Sequence, residues 1–150
     1  LTNHIWLQAS APGNYAGTCA EFCGAEHALM SFSVLVQTPA DFDAWLEAQE
    51  KSADSPGTDA AEAGLKLFQT MTCINCHSLR GVSAQADVAP DLTHLAGRKF
   101  LGGGILANSE TNLFRWLKNP QAIKPGCLMP NLKLTDTQAG ELADYLEQLK

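Results

Sequence analysis

Apolar and polar positions change their rhythm about a third of the way along the chain. Up to residue 50 the rhythm is close to two: H-I-W-L-Q-A over residues 4–9, and S-F-S-V-L-V-Q over residues 31–37, where Phe32, Val34 and Val36 alternate with Ser33 and Leu35. A period of two predicts half-buried strands. Pro12 and Gly13 predict a turn after the first run. The run T-P-A-D-F-D-A-W-L-E-A-Q-E predicts a short helix, with Thr38 as its N-cap and Pro39 at its first position. Two or three strands do not enclose a β-sandwich core. Residues 1–50 are therefore expected to be an incomplete β unit.

From residue 60 the apolar spacing becomes helical. Thr58 or Asp59 is placed to cap a helix through A-A-E-A-G-L-K-L-F-Q-T-M, with Leu65, Phe68 and then Met71 or Thr72 on one stripe. T-N-L-F-R-W-L-K-N-P predicts a second helix stopped by Pro120. A third helix starts at the N-cap Thr135, with Leu142, Tyr145, Leu146 and Leu149 on one face. No strand pattern competes, so residues 60–150 are expected to be all-α, with long loops between residues 78 and 110. Between the two parts, K-S-A-D-S-P-G-T-D (residues 51–59) is polar, lacks periodicity and reads as a linker. As a flexible coil it would span roughly 15–18 Å.

Charge follows the same division. Residues 1–50 hold six acidic groups (Glu21, Glu26, Asp41, Asp43, Glu47 and Glu50) and no Lys or Arg, whereas residues 60–150 are nearly balanced. Without clustered basic residues the chain is not expected to bind nucleic acid. The acidic part suits a basic protein partner or is simply a solvated face. No run approaches ~18 apolar residues, so none of the sequence is expected to span a membrane. The chain opens on Leu1 with no charged and apolar leader, and reads as a processed product or an excerpt.

Three helices and thirty-odd loop residues supply little apolar surface for a unit of this size, so something besides side chains is expected to fill its core. C-I-N-C-H (residues 73–77) supplies the candidate, because C-x-x-C-H is the c-type haem attachment motif. Cys73 and Cys76 stand one turn apart, where their thiols meet the two vinyl groups of one porphyrin edge, and His77 follows to reach the iron. Half of a zinc site and a thioredoxin-like dithiol are the alternatives. Zinc lacks grouped partners, since His94 and Cys127 stand singly, and no βαβ pattern surrounds a dithiol. Met129, between Pro125 and Pro130, is the expected sixth ligand, with Met71 as its rival. His/Met ligation fills both axial positions and suits electron transfer.

Residues 60–150 thus resemble class I cytochromes c, through Gly64, Phe68, C-I-N-C-H, A-P-D-L-T-H-L-A-G-R, Met129 and the terminal helix with Tyr145. The resemblance implies that the Pro90 carbonyl accepts from the second ring nitrogen of His77. It also implies that Gly64 lets the first and last helices cross closely, with Phe68 and Tyr145 at the crossing. His94 would be structural, and Cys127 a packing residue.

The other concentration of chemistry is C-A-E-F-C-G-A-E-H-A-L-M, residues 19–30. A disulfide between Cys19 and Cys23 leaves His27 and Met30 unexplained, and zinc rarely takes a thioether. Two soft thiolates with an imidazole and a methionine point to copper, and the second cysteine to two metal ions. The pattern C-x-E-x-C-x-x-x-H-x-x-M resembles the binuclear copper A centre of cytochrome c oxidase subunit II. By that resemblance Cys19 and Cys23 bridge both coppers, His27 and the Glu21 carbonyl complete one, and Met30 with a second histidine the other. That histidine lies a few dozen residues upstream in the family. His4 is too close to the cluster to replace it, so copper occupancy is expected to be incomplete.

A copper-bearing subunit II with a fused cytochrome c resembles the caa-type oxidases of bacteria. This implies a mainly α chain, with a truncated cupredoxin-like segment at 1–50, a linker at 51–59 and a cytochrome c domain at 60–150. It implies electron relay from soluble cytochrome c or another donor, through covalent haem c and copper, to the oxygen-reducing subunit I. It also places the chain on the outer face of the bacterial cell membrane, anchored through an upstream region. The alternatives are a soluble electron-carrier cytochrome with a vestigial copper segment, and a copper-handling or thiol-redox protein.

Overall fold

A computed structural model describes residues 2–83 and 86–150; Leu1, and Ala84 and Gln85 within the long loop, lie outside the described residues. The expected strand at 4–9 does not form, and this segment has no regular structure. Ile5, Trp6 and Leu7 are 84, 96 and 78% exposed, so their alternation has no surface to bury against. The strand lies later instead, as β1 (Gly13–Thr18). It pairs antiparallel with β2 (Ser31–Val36), from Gly13 opposite Val36 to Thr18 opposite Ser31. Sequence reading missed β1 because G-N-Y-A-G-T carries two glycines and no apolar alternation. One of those glycines explains the pairing: a β-carbon on Gly17 would come within 2.2 Å of the Phe32 ring, which lies across it. The Phe32 ring thus packs over the bare backbone of its cross-strand partner.

Helix α1 (Pro39–Gln49) forms where expected, and the Thr38 hydroxyl accepts from the Asp41 amide at 3.2 Å. Its Phe42, Trp45 and Leu46 stay about half exposed. The remaining helices form a second group: α2 (Asp59–Thr70), α3 (Glu110–Lys118), the single turn α4 (Pro120–Ile123) and α5 (Asp136–Leu146). Thr58 and Ser109 cap α2 and α3. Thr135 and Gln138 make a reciprocal capping box at α5. Each satisfies orphan amides that the first turn of a helix leaves unbonded.

Leu142, Tyr145, Leu146 and Leu149 are all buried, and they pack with Phe68, Ala61, Leu113 and Leu117 in one core. The crossing of α2 and α5 turns on Gly64: a β-carbon there would stand 2.0 Å from the Glu141 carbonyl oxygen and 2.8 Å from the Tyr145 β-carbon.

Three expectations need correction. Pro120 does end α3, but it also begins α4, whose cap is Asn119 accepting from the Ala122 amide at 3.2 Å. The expected all-α character of 60–150 is interrupted by a small hairpin, β3 (Phe100–Leu101) with β4 (Leu106–Ala107). Gly102, Gly103 and Gly104 between them have φ of 63, 80 and 98°, a left-handed path that glycine adopts without steric penalty. Residues 51–57 do not behave as free coil. Arg80 donates to the Gln49 and Lys51 carbonyls at 2.6 and 3.2 Å, the Ala53 amide donates to the Arg80 carbonyl at 3.0 Å, and the Gly57 amide donates to the Gln148 side chain at 2.8 Å. Contacts of this kind, not chain statistics, set the span between α1 and α2.

Candidate metal centres

Cys73 lies in a short 3-10 turn, Thr72–Asn75, set off from α2 by the extended backbone of Met71. The Cys73 carbonyl accepts from the Cys76 and His77 amides at 3.2 and 2.9 Å, so one turn presents both thiols and the imidazole. Cys73 packs on the margin of the core, and burial pushes its thiol above the ordinary range. His77 Nδ1 stands 2.7 Å from the Pro90 carbonyl oxygen. A carbonyl only accepts, so Nδ1 carries the proton and Nε2 presents a free lone pair. Pro90 is held by its neighbours: the Asp91 carboxylate accepts from the Thr93 amide at 2.7 Å, Thr93 Oγ1 accepts from the Arg80 amide at 2.9 Å, and Arg98 donates to the Asp91 carbonyl.

Met129 packs against the same core cluster as Cys73. Its loop is organised by one side chain that the sequence pattern did not single out. Gln121, in α4, donates to the Cys127 and Met129 carbonyls at 2.7 and 2.8 Å and accepts from the Gly126 amide at 3.1 Å. Trp116 was missed as well. Its indole N–H points at the Met129 sulfur at 3.1 Å. The available signal was its place on α3 off the Leu113–Leu117 line, since a half-buried tryptophan needs a partner for its N–H. Met71, the rival ligand, caps α2 and packs on the core. His94 is buried and donates from Nδ1 to the Lys150 carbonyl at 2.7 Å, as a structural histidine would.

The donor set fits a c-type haem: two thiols on one turn, an imidazole in the metal-binding tautomer and a thioether on the same core. With haem present, Trp116→Phe is expected to lower the iron potential, by up to about 60 mV. The lost hydrogen bond, worth ~0.5–1.5 kcal/mol, withdraws electron density from the sulfur and favours the reduced state. Potentiometric titration checks this, and an unchanged potential would refute it. The Cys127 sulfur is half-buried and accepts from Gln121 Nε2 at 3.1 Å. Cys127→Ser keeps an acceptor there and is expected to leave the haem spectrum unchanged; a shift to high-spin iron would contradict that.

The second cluster sits between β1 and β2, where the hairpin ladder gives way to a loop with a 3-10 turn at His27–Leu29. Cys19 Sγ donates to the Glu21 carbonyl at 3.1 Å and lies 3.5 Å from Cys23 Sγ. Cys23 Sγ is in turn 3.7 Å from His27 Nδ1 and 3.6 Å from Met30 Sδ. The ligand atoms of Cys19, Cys23 and His27 all lie within 4.8 Å of one another, and both thiols are free. The hydrogen bond with Cys19 pushes the Cys23 thiol above its ordinary range. Two adjacent thiols resist joint ionisation unless a cation stabilises both thiolates. The chemistry of this donor set, soft sulfur with one imidazole, fits copper. Among the described residues His4 lies outside the cluster, in the exposed segment before β1.

Among known proteins, the cytochrome c family profile matches residues 61–150. The chain belongs to the cytochrome c family. Membership implies a covalently held haem and a role in electron transport. The chain is also similar, well beyond its cytochrome c part, to cytochrome c oxidase subunit 2. It is 35% identical to that of Alkalihalophilus pseudofirmus over 100% of this chain and 43% of the relative. For Bacillus sp. strain PS3 the identity is 36% over 99 and 44%, and for Bacillus subtilis 33% over 91 and 39%. The chain thus spans about two-fifths of the length of these relatives. Among the described residues no helix is long and apolar enough to cross a membrane.

Proposed function

We propose that the chain is the electron-entry part of a respiratory haem–copper oxidase. Residues 60–150 form its cytochrome c domain, 1–50 the cupredoxin-like copper part and 51–59 the connection between them. Bound at these sites, haem c and a binuclear copper centre supply reversible one-electron chemistry. Cys73 and Cys76 would hold the porphyrin through their thiols, His77 and Met129 would supply the iron's imidazole and thioether donors, and the Pro90 carbonyl fixes the His77 tautomer. Cys19 and Cys23 would supply the thiolates that hold the copper, with His27, Met30 and the Glu21 carbonyl as further donors. Electrons pass from soluble cytochrome c or another donor to subunit I of the oxidase, on the outer face of the bacterial cell membrane. No general acid, base or nucleophile is required of the protein. Its task is to hold each metal in nearly fixed geometry, so that little reorganisation accompanies a change of charge.

The observation that carries this reading is the convergence of two thiols, an imidazole and a thioether within contact distance on the chain that also bears C-I-N-C-H. It is tested on the complete subunit assembled with its oxidase. Haem should resist extraction into acidified organic solvent. Cys23→Ser should remove copper, leave the haem spectrum intact and abolish oxygen consumption supported by reduced cytochrome c. Full oxygen consumption in copper-free Cys23→Ser protein would refute the relay.

A further inference from the structure

The loop that carries the copper ligands is anchored at both ends to the haem-bearing half of the chain. Before His27, Glu26 Oε2 lies 3.3 Å from Lys124 Nζ, and the two side chains are only 21 and 17% exposed. Both Glu26 carboxylate oxygens are shielded from solvent and lack a well-aligned hydrogen-bond donor, so Lys124 is the cation that answers their charge. Lys124 is fixed in turn by donating to the Gly102 carbonyl at 3.1 Å. It stands at the end of α4, five residues before Met129. After Met30, Ser31 Oγ donates to the Gly103 carbonyl at 3.2 Å. Gly104 makes the close approach of Ser31 possible. A β-carbon on Gly104 would stand 2.3 Å from Ser31 Oγ, while Gly102 and Gly103 on the same left-handed path supply the carbonyls that accept from Lys124 and Ser31.

A surface ion pair would contribute little. This one is largely desolvated and joins segments almost a hundred residues apart, so it acts on which surfaces meet. We infer that Glu26–Lys124 and Ser31–Gly103 form an intrachain docking clamp that sets the copper loop against the methionine loop. Glu26 and Lys124 are positioning residues for electron passage between the two metal sites. The inference rests on the proposed identity of both sites. None of the four residues is a proposed metal ligand, so each pair is open to substitution without altering a first coordination bond.

The test uses Glu26→Gln, Lys124→Gln, the double substitution and the charge exchange Glu26→Lys/Lys124→Glu. Contact is read by a double-mutant cycle of denaturant unfolding on the haem-loaded chain, with an expected coupling of about tenfold in the unfolding constant. Passage is read on the complete subunit with both metals, as the rate of haem-to-copper electron equilibration after flash reduction. Each single variant is expected to slow that rate by about tenfold, a coupling of ordinary size. Absorption spectra and both potentials stay unchanged, and the charge exchange restores most of the rate. Zero coupling overturns the clamp. Coupling with unaltered rates in both single variants overturns the positioning role. If wild-type protein with both metals passes no electrons, the relay reading itself fails and the positioning role with it, while a measured coupling still records the contact.

Discussion

Gly64→Ala is expected to lower the thermal midpoint of the chain by at least about 10 °C. The added methyl meets the Glu141 backbone carbonyl at 2.0 Å and the Tyr145 β-carbon at 2.8 Å. Neither atom is the free end of a side chain, so no rotamer change relieves the clash and α2 must move off α5. Overpacking of well-fitted cores costs ~1–3 kcal/mol. A clash with rigid backbone belongs at or above the top of that range, against a total stability of only ~5–15 kcal/mol. For a domain of this size each kcal/mol shifts the midpoint by roughly 4–8 °C. The crossing also aligns Phe68 and Tyr145, 1 and 0% exposed, so its loss exposes the two largest buried side chains together. Gly140→Ala on α5, the helix that Gly64 crosses, is the control. Nothing lies within 4 Å of its added carbon, and relief of glycine's backbone entropy predicts a gain of about 0.5–1 kcal/mol. Equal midpoints for Gly64→Ala and wild type would refute the close crossing.

Met129→Ala is expected to have the largest effect on the redox chemistry. With Met129 as the proposed sixth ligand, removing its thioether would open that position to water or to a stronger-field donor, and ligand identity spreads haem potentials over about 0.8 V. A fall on the order of 100 mV or more is expected, with loss of the methionine-to-iron absorption band. The loop itself should survive, because Gln121 binds the Cys127 carbonyl at 2.7 Å and the backbone carbonyl of residue 129 at 2.8 Å, independently of the Met129 side chain. Potentiometry and the near-infrared spectrum measure this together with the far-ultraviolet circular dichroism. An intact band and potential in folded Met129→Ala protein would transfer the ligand role elsewhere, with Met71 the first candidate. Trp116 separates the two readings: its indole N–H contacts Met129 at 3.1 Å, so a spectrum insensitive to both residues excludes this sulfur.

What the sequence determined by itself was everything carried by short spacing. Each of Thr38, Thr58 and Thr135 caps its helix as expected, because a hydroxyl three residues ahead of an amide reaches it within one turn. The i, i+3, i+4 spacing identified the buried face of α5. C-I-N-C-H and C-x-E-x-C-x-x-x-H-x-x-M were legible for the same reason, since their geometry is set within one loop or turn. Period two was less reliable. It marked β2 correctly but placed a strand at 4–9, because alternation states only that one face could be buried and not that a partner is there. The strand that does pair with β2 is recognised through Gly17 beneath Phe32, a contact between residues fifteen apart in sequence.

Only the tertiary structure decided the contacts that close long loops. Pro90 meets His77 across thirteen residues, Trp116 meets Met129 across thirteen, Gly57 meets Gln148 across ninety-one, and Ser31 meets Gly103 across seventy-two. Resemblance anticipated the first of these, and no periodicity announced the others. Gly102–Gly104 read as loop because three glycines lower every local propensity, yet the backbone path they permit makes both the β3–β4 hairpin and the approach of Ser31. The same holds for Glu26 and Lys124, which in the sequence are one acid among sixteen and one base among ten. Their pairing depends on two surfaces meeting, and the free energy of that meeting is spread over contacts that no window of the sequence contains.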